Sequence, residues 1–139
     1  MSESEILRKI AVIFVTDVVE FSTLMAQNEE LTLRSFRSCK EILDNLFEEH
    51  SGRIFNTAGD SVLAEFPSAV SAVICAVEFQ KLIKARNASV NKEAQMQFRI
   101  GLNMGDVIIE STNLYGDGVN VAARLLSLIH ISEPTRPTP

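Results

Sequence analysis

Residues 10–16, "IAVIFVT", form a nearly continuous apolar run rich in β-branched side chains. Successive side chains of a strand point to opposite faces, so an unbroken run predicts a strand buried on both sides, at the centre of a sheet. The run stops at Asp17. A carboxylate at that point marks where the chain leaves the core.

The rest of the chain supplies partners for such a strand. From Leu31 to His50, residues Leu31, Phe36, Cys39, Leu43, Leu46 and Phe47 trace a helical stripe, with Gly52 placed to close the helix. Residues 53–66 read as a hairpin about the turn Ala58-Gly59-Asp60-Ser61. Pro67 and Ser68 introduce a second amphipathic helix, with Val70, Val73, Ile74, Val77 and Ile83 along its expected core face. Residues 86–95 are polar and predict a solvent-exposed connection. Two strands follow, "QFRIGLNM" and "DVIIE", with Gly105 between them. "STNLYGDGVNVAARL" is then a glycine-bearing loop leading into a helix that starts near Asp117. The order β-α-β-β-α-β-β-α predicts an α+β sandwich, its helices packed on a mostly antiparallel sheet.

A chain of 139 residues fits one domain, and a net charge of −5 argues against non-specific binding to nucleic acid or anionic lipid. No apolar run approaches the ~18 residues that cross a bilayer, so no membrane segment is expected. The start, "MSESEILRK", lacks the pattern of a secretory signal. Cys39 and Cys75 fall inside helical patterns and read as free buried thiols of a cytoplasmic protein.

Two acids occupy comparable positions: Asp17 past the central strand and Asp60 in the hairpin turn. In a β-α-β-β arrangement both points can share one edge of a sheet. Two carboxylates ~4 Å apart repel by about 4 kcal/mol at an effective dielectric near 20, which a shared proton or a bound cation would relieve. Oxygen ligands of this kind suit Mg²⁺ or Mn²⁺. Spacing alone leaves a second reading open, in which Asp17 caps a helix beginning near Ser22 and Asp60 only turns a hairpin. Asn120 and Arg124 stand four apart, on one face of the last expected helix. A guanidinium there can grip phosphate oxygens or extend into solvent.

Taken together, "IFVTDVVEFSTLM", "GRIFNTAGDSVLAEF", "FRIGLNMGDV" and "YGDGVNVAARL" resemble, in order, the catalytic domain of class III adenylate/guanylate cyclases. The likeness runs over residues 10–125, after a lead-in of residues 1–9. It implies a ferredoxin-like nucleotidyl cyclase sandwich acting in cyclic-nucleotide signalling. Asp17 and Asp60 match the aspartates that hold two Mg²⁺ or Mn²⁺ ions, and the carbonyl of Val18 matches a further ligand. Val19, Glu20, Phe21 and Ser22 match the turn whose amides meet the triphosphate. Asn120 matches the residue that orients the ribose, and Arg124 the one that stabilises phosphate charge. The resemblance also implies a homodimer with its active sites at the interface, ATP or GTP as substrate, and a regulatory region fused to the domain in the parent protein.

Two departures stand out. Positions 56 and 113, where adenylate-type members carry a base-reading lysine and aspartate, are both asparagine here. An amide can donate or accept, so Asn56 and Asn113 predict relaxed base selection. Residues 126–139, "LSLIHISEPTRPTP", do not continue the pattern and read as a non-native, adapter-like tail. They leave the family's phosphate-contacting lysine without a counterpart. The altered asparagines also fit a rival reading: a non-catalytic cyclase-like domain for dimerisation or nucleotide sensing.

Overall fold

The computed structural model describes the backbone of residues 7–110 and 113–115, and the side chains of residues 10–105. The elements in order are β1 (Leu7–Val18), α1 (Phe21–Gln27), α2 (Glu29–Glu49), β2 (Arg53–Ala58), β3 (Ser61–Phe66), α3 (Ala69–Ala88), a single 3-10 turn (Lys92–Ala94), β4 (Phe98–Glu110) and β5 (Asn113–Tyr115). Among the described residues the strands form one antiparallel sheet in the order β2-β3-β1-β4-β5. The apolar run therefore lies at the centre, and the fold is the expected α+β class.

Strand β1 is buried on both faces. Val12, Phe14 and Val18 join the core beneath the helices, while Ala11, Ile13 and Val15 are buried on the opposite face. Phe14, Phe47 of α2 and Phe66 of β3 form an aromatic triad with centroids 5.1–5.5 Å apart. Phe79 of α3 meets Phe98 of β4 edge-on at 5.0 Å. Such offset and edge-on contacts fix the helices against the sheet beyond what burial alone supplies.

Four expectations are corrected. Gly105 does not divide two strands: it pairs with Ala11 inside β4, because the long β1 offers an uninterrupted partner from Leu7 to Val18. Gly52 is not the left-handed residue after α2. That conformation falls on Ser51 (φ 65°), and the Gly52 N–H donates to the Phe47 carbonyl at 2.7 Å to close the helix. Gly52 is instead needed for space, since a Cβ there would lie 2.6 Å from the Phe66 ring. The connection at 86–95 is partly internal. Asn87, still within α3, is buried, and its side chain exchanges bonds of 2.8 and 3.1 Å with the Met96 carbonyl and N–H.

The fourth correction is the largest. On α3 the buried positions are Ala72, Cys75, Ala76, Phe79, Gln80, Ile83 and Asn87, whereas Val70, Val73, Ile74 and Val77 are exposed. The small side chains let the helix lie close on the sheet, which leaves the bulkier β-branched ones on the outer side. Of the expected face only Ile83 is buried.

The N-terminal caps follow local chemistry. Asn28 accepts from the Leu31 N–H at 3.1 Å to start α2, and Ser68 accepts from Ser71 at 3.1 Å to start α3. Cys39 and Cys75 are buried and free, as expected. No helix of the described residues is long and apolar enough to cross a membrane.

The ends of the strand order also approach each other. Backbone positions of β2 and β5 come within 8 Å, so the sheet curls enough to bring its two margins near each other without pairing them.

Candidate active site

The rim of the sheet where β1 ends carries the acids. The two-residue turn between β2 and β3 places Gly59 at φ 60°, a conformation that costs an L-residue about 1–2 kcal/mol and glycine nothing. Asp60 follows it, and one of its carboxylate oxygens accepts a 2.8 Å hydrogen bond from the Val18 N–H. The structure thus brings Asp60 to the residue next to Asp17, although they are 43 positions apart in sequence. Asp17 does not cap a helix: its carboxylate is engaged elsewhere.

That partner is Arg99, directly opposite Asp17 in the β1–β4 register. Its Nε and Nη2 donate to the two Asp17 oxygens at 2.9 and 2.8 Å, a bidentate fork. The Asp17 side chain is 16% exposed and that of Arg99 34%. The hydrogen bond to Asp17 raises the Arg99 pKa above its ordinary value; desolvation opposes this, and the charges of Asp17 and Asp60 add to it. An internal guanidinium therefore supplies the relief that sequence reasoning sought from a proton or a bound ion. Thr16 steadies the same strand pair by donating its hydroxyl to the Arg99 carbonyl at 2.7 Å. The signal that could have found Arg99 was a lone cation inside the apolar strand "FRIGL".

The chain then turns sharply into α1. The Val19 N–H is bonded to the Gln97 carbonyl at 2.8 Å. Glu20 occupies the left-handed region (φ 56°, ψ 42°) as the N-cap of α1, without a side-chain capping bond. Phe21 is half-buried, with its ring 5.9 Å from Phe36, and Ser22 is exposed. The first turn of a helix leaves backbone N–H groups without intrahelical partners, and here that turn follows the acids directly.

Asn56 lies on β2 just past a bulge, exposed, and is paired with Leu63. Leu63 is paired with Val15, two residues before Asp17, so the register puts Asn56 on the sheet face that carries Asp17 and Arg99. Asn113 opens β5, paired with Glu110, and β5 is the strand that approaches β2. Asn120, Arg124 and the tail of residues 126–139 lie outside the described residues.

The donor set suits a hard divalent cation. Asp17 and Asp60 bring carboxylate oxygens to one rim, with the carbonyl of Val18 next to Asp17 in the chain, and an ion taking the Asp17 oxygens would share them with the Arg99 fork. The ~330 Å³ cavity lined by Ile10, Arg53, Glu65 and Phe66 lies at the other end of β1 and takes no part in this arrangement.

An antiparallel sheet with β1 at its centre, helices on one face and two acids at one rim defines a nucleotidyl cyclase architecture, and the comparisons agree. Residues 3–136 match the sequence profile of the adenylate and guanylate cyclase catalytic domain. The chain belongs to that family. It is 41% identical over 129 residues to "Putative adenylate cyclase 3" of Rhizobium meliloti (strain 1021), an alignment covering 92% of this chain and 22% of that protein. The chain thus spans about a fifth of the length of this curated relative. Among solved structures, the adenylate/guanylate cyclase/hydrolase from Silicibacter pomeroyi superposes with a TM-score of 0.80 at 34% identity, covering 89% of this chain and 73% of that one. A bacterial light-regulated adenylyl cyclase gives a TM-score of 0.80 at 26% identity, covering 88% and 71%.

Proposed function

We propose that the domain converts ATP, and GTP less selectively excluded than in a charged base site, to the 3′,5′-cyclic nucleotide and pyrophosphate. The observation that carries this reading is the convergence of Asp17 and Asp60 on Val18 and Arg99 at one sheet rim. In the reaction, the ribose 3′-oxygen forms a bond to the α-phosphorus, the bond from that phosphorus to the bridging oxygen breaks, pyrophosphate leaves and the hydroxyl proton is released. Asp17 and Asp60, with the Val18 carbonyl, would hold two Mg²⁺ or Mn²⁺ ions. Such ions supply a lowered hydroxyl pKa and neutralisation of phosphate charge. The residues themselves position and orient. Of the turn Val19–Ser22, Glu20, Phe21 and Ser22 present amides to the triphosphate, the Val19 N–H being held by the Gln97 carbonyl, and Asn56 and Asn113 meet the base edge. Asn120 orients the ribose and Arg124 stabilises charge on the phosphates in the transition state. Asp17, Asp60 and Val18 would come from one copy and the base-reading Asn56 and Asn113, with Asn120 and Arg124, from the other, in a homodimer with sites at the interface. A fused regulatory region and a cytoplasmic location complete the reading.

The experiment is turnover with Mn²⁺ for the unaltered chain, Asp17→Asn and Asp60→Asn. Asn at position 60 keeps an acceptor for the Val18 N–H and removes the charge. The reading requires metal-dependent turnover to fall more than about tenfold in each variant, the scale on which charged groups at phosphoryl-transfer sites act. Retained activity would overturn it. A second reading, a cyclase-like domain that binds nucleotide without turning it over, is favoured by Asn56 and Asn113; nucleotide binding without any Mn²⁺-dependent product would select it.

A further inference from the structure

The outer face of α3 has no role in the site above. Val70, Ile74, Val77, Lys81 and Lys84 follow a 4-3-4-3 spacing along one line of the helix, with Val73 beside them. Val70 is 68% exposed, Val73 and Ile74 45% each, and Val77 38%. Four neighbouring β-branched side chains in water are costly, and contiguous apolar patches of this kind mark contact surfaces. The spacing is that of a helix seam, whose side chains insert between those of a facing helix. The line then changes character: Lys81 and Lys84 are exposed and have neither an ion pair nor a hydrogen bond among the described residues. Glu78, beside the seam, is held by His50 of α2 at 2.9 Å.

The charges identify the occupant. A second copy packed in parallel would set Lys81 and Lys84 against their own equivalents. Packed antiparallel, it would set them against the positive N-terminal end of the partner α3. An anionic membrane is opposed by the chain's net charge of −5, and the seam has no aromatic anchor. We infer that the α3 seam docks an amphipathic helix of another protein, one whose apolar residues face Val70, Ile74 and Val77 and whose acidic residues face Lys81 and Lys84. The valines supply desolvation and the lysines fix register and direction.

The test uses the 139-residue chain and a fluorescein-labelled helical peptide of about 20 residues, with leucines in 4-3 spacing over one half and glutamates continuing the line. A matched peptide carries lysines in place of the glutamates. Anisotropy titration should show the acidic peptide binding at least about tenfold more tightly, the scale of a well-placed charge pair. Lys81→Glu with Lys84→Glu should reverse that order. Ile74→Asp with Val77→Asp should abolish binding at an unchanged melting temperature; if that pair melts early, Ile74→Ser with Val77→Ser replaces it. Equal binding of both peptides, or binding that survives the seam variants, overturns the inference. So does self-association in sedimentation velocity, or capture by phosphatidylserine vesicles, that the seam variants remove.

Discussion

Asp17 and Arg99 face each other across β1 and β4, joined by two parallel hydrogen bonds of 2.9 and 2.8 Å, with the charge of Asp60 also acting on the guanidinium. The charge of the two acids at the rim is thus offset in part by a cation that belongs to the chain. Any divalent ion that takes Asp17 does so in competition with this fork, which couples ion binding to the position of one side chain.

Replacing Arg99 with methionine leaves a largely buried carboxylate without its partner. The ion-free domain should lose about 1–3 kcal/mol in urea unfolding, the range for leaving a buried acceptor unsatisfied. Added Mn²⁺ should then raise the melting temperature of Arg99→Met by more than it raises that of the unaltered chain. Equal shifts would show that the fork and the ion do not share Asp17.

Base selection should be weak. In the proposed base-reading role, Asn56 and Asn113 would present flippable amides where charged partners would discriminate, each charged hydrogen bond being worth roughly 1.5–3 kcal/mol. Turnover of ATP and GTP measured side by side should differ by less than about a thousandfold, and Asn56→Lys should widen the gap in favour of ATP. A larger ratio in the unaltered chain would place selectivity elsewhere.

Around the end of α2, two neighbours should respond in opposite directions. Gly52→Ala drives a methyl to 2.6 Å from the buried Phe66 ring and should destabilise by about 1–3 kcal/mol. Ser51→Gly relieves a left-handed backbone (φ 65°) and should stabilise by up to about 1 kcal/mol. Urea midpoints at unchanged slope measure both.

The buried thiols give the domain an alkaline dependence. Burial pushes Cys39 up to about 11 from 9.0, against the opposing charge of Arg86. Burial pushes Cys75 up to about 12, helped by Glu78 and Glu49. Because the folded values lie above the unfolded ones, the native chain holds these protons more tightly. Their contribution is complete below pH 9 and is lost as pH rises from 9 towards 11–12. Cys39→Ala with Cys75→Ala should flatten the fall in stability over that window.

Local chemistry made much of this legible from sequence. The run at 10–16 had to be a central strand, Gly59 and Asp60 had to turn a hairpin, and Ser68 had to start a helix; each rests on neighbours a few positions away. What was hidden depends on pairing at a distance. Arg99 acquires its meaning only from lying opposite Asp17 in the register. Asn87 looks like a loop residue until Met96 folds back onto it. On α3, counting bulky residues selected the outer face, because the sheet admits Ala72 and Ala76 more closely than valine. Of the candidate site, the meeting of Asp60 with the Asp17–Val18 corner was readable from element order, while the arginine that holds it was not.

The curl that carries β2 towards β5 has a consequence for how such a domain evolves and is tuned. Asn56 and Asn113 ride on strands from opposite borders, whereas Asp17 and Arg99 are stapled together across the middle ladder. Bending or relaxing the sheet would respace the first pair and leave the second untouched. On the roles proposed for these residues, nucleotide choice and chemistry would be separate mechanical degrees of freedom, adjustable by mutations far from either.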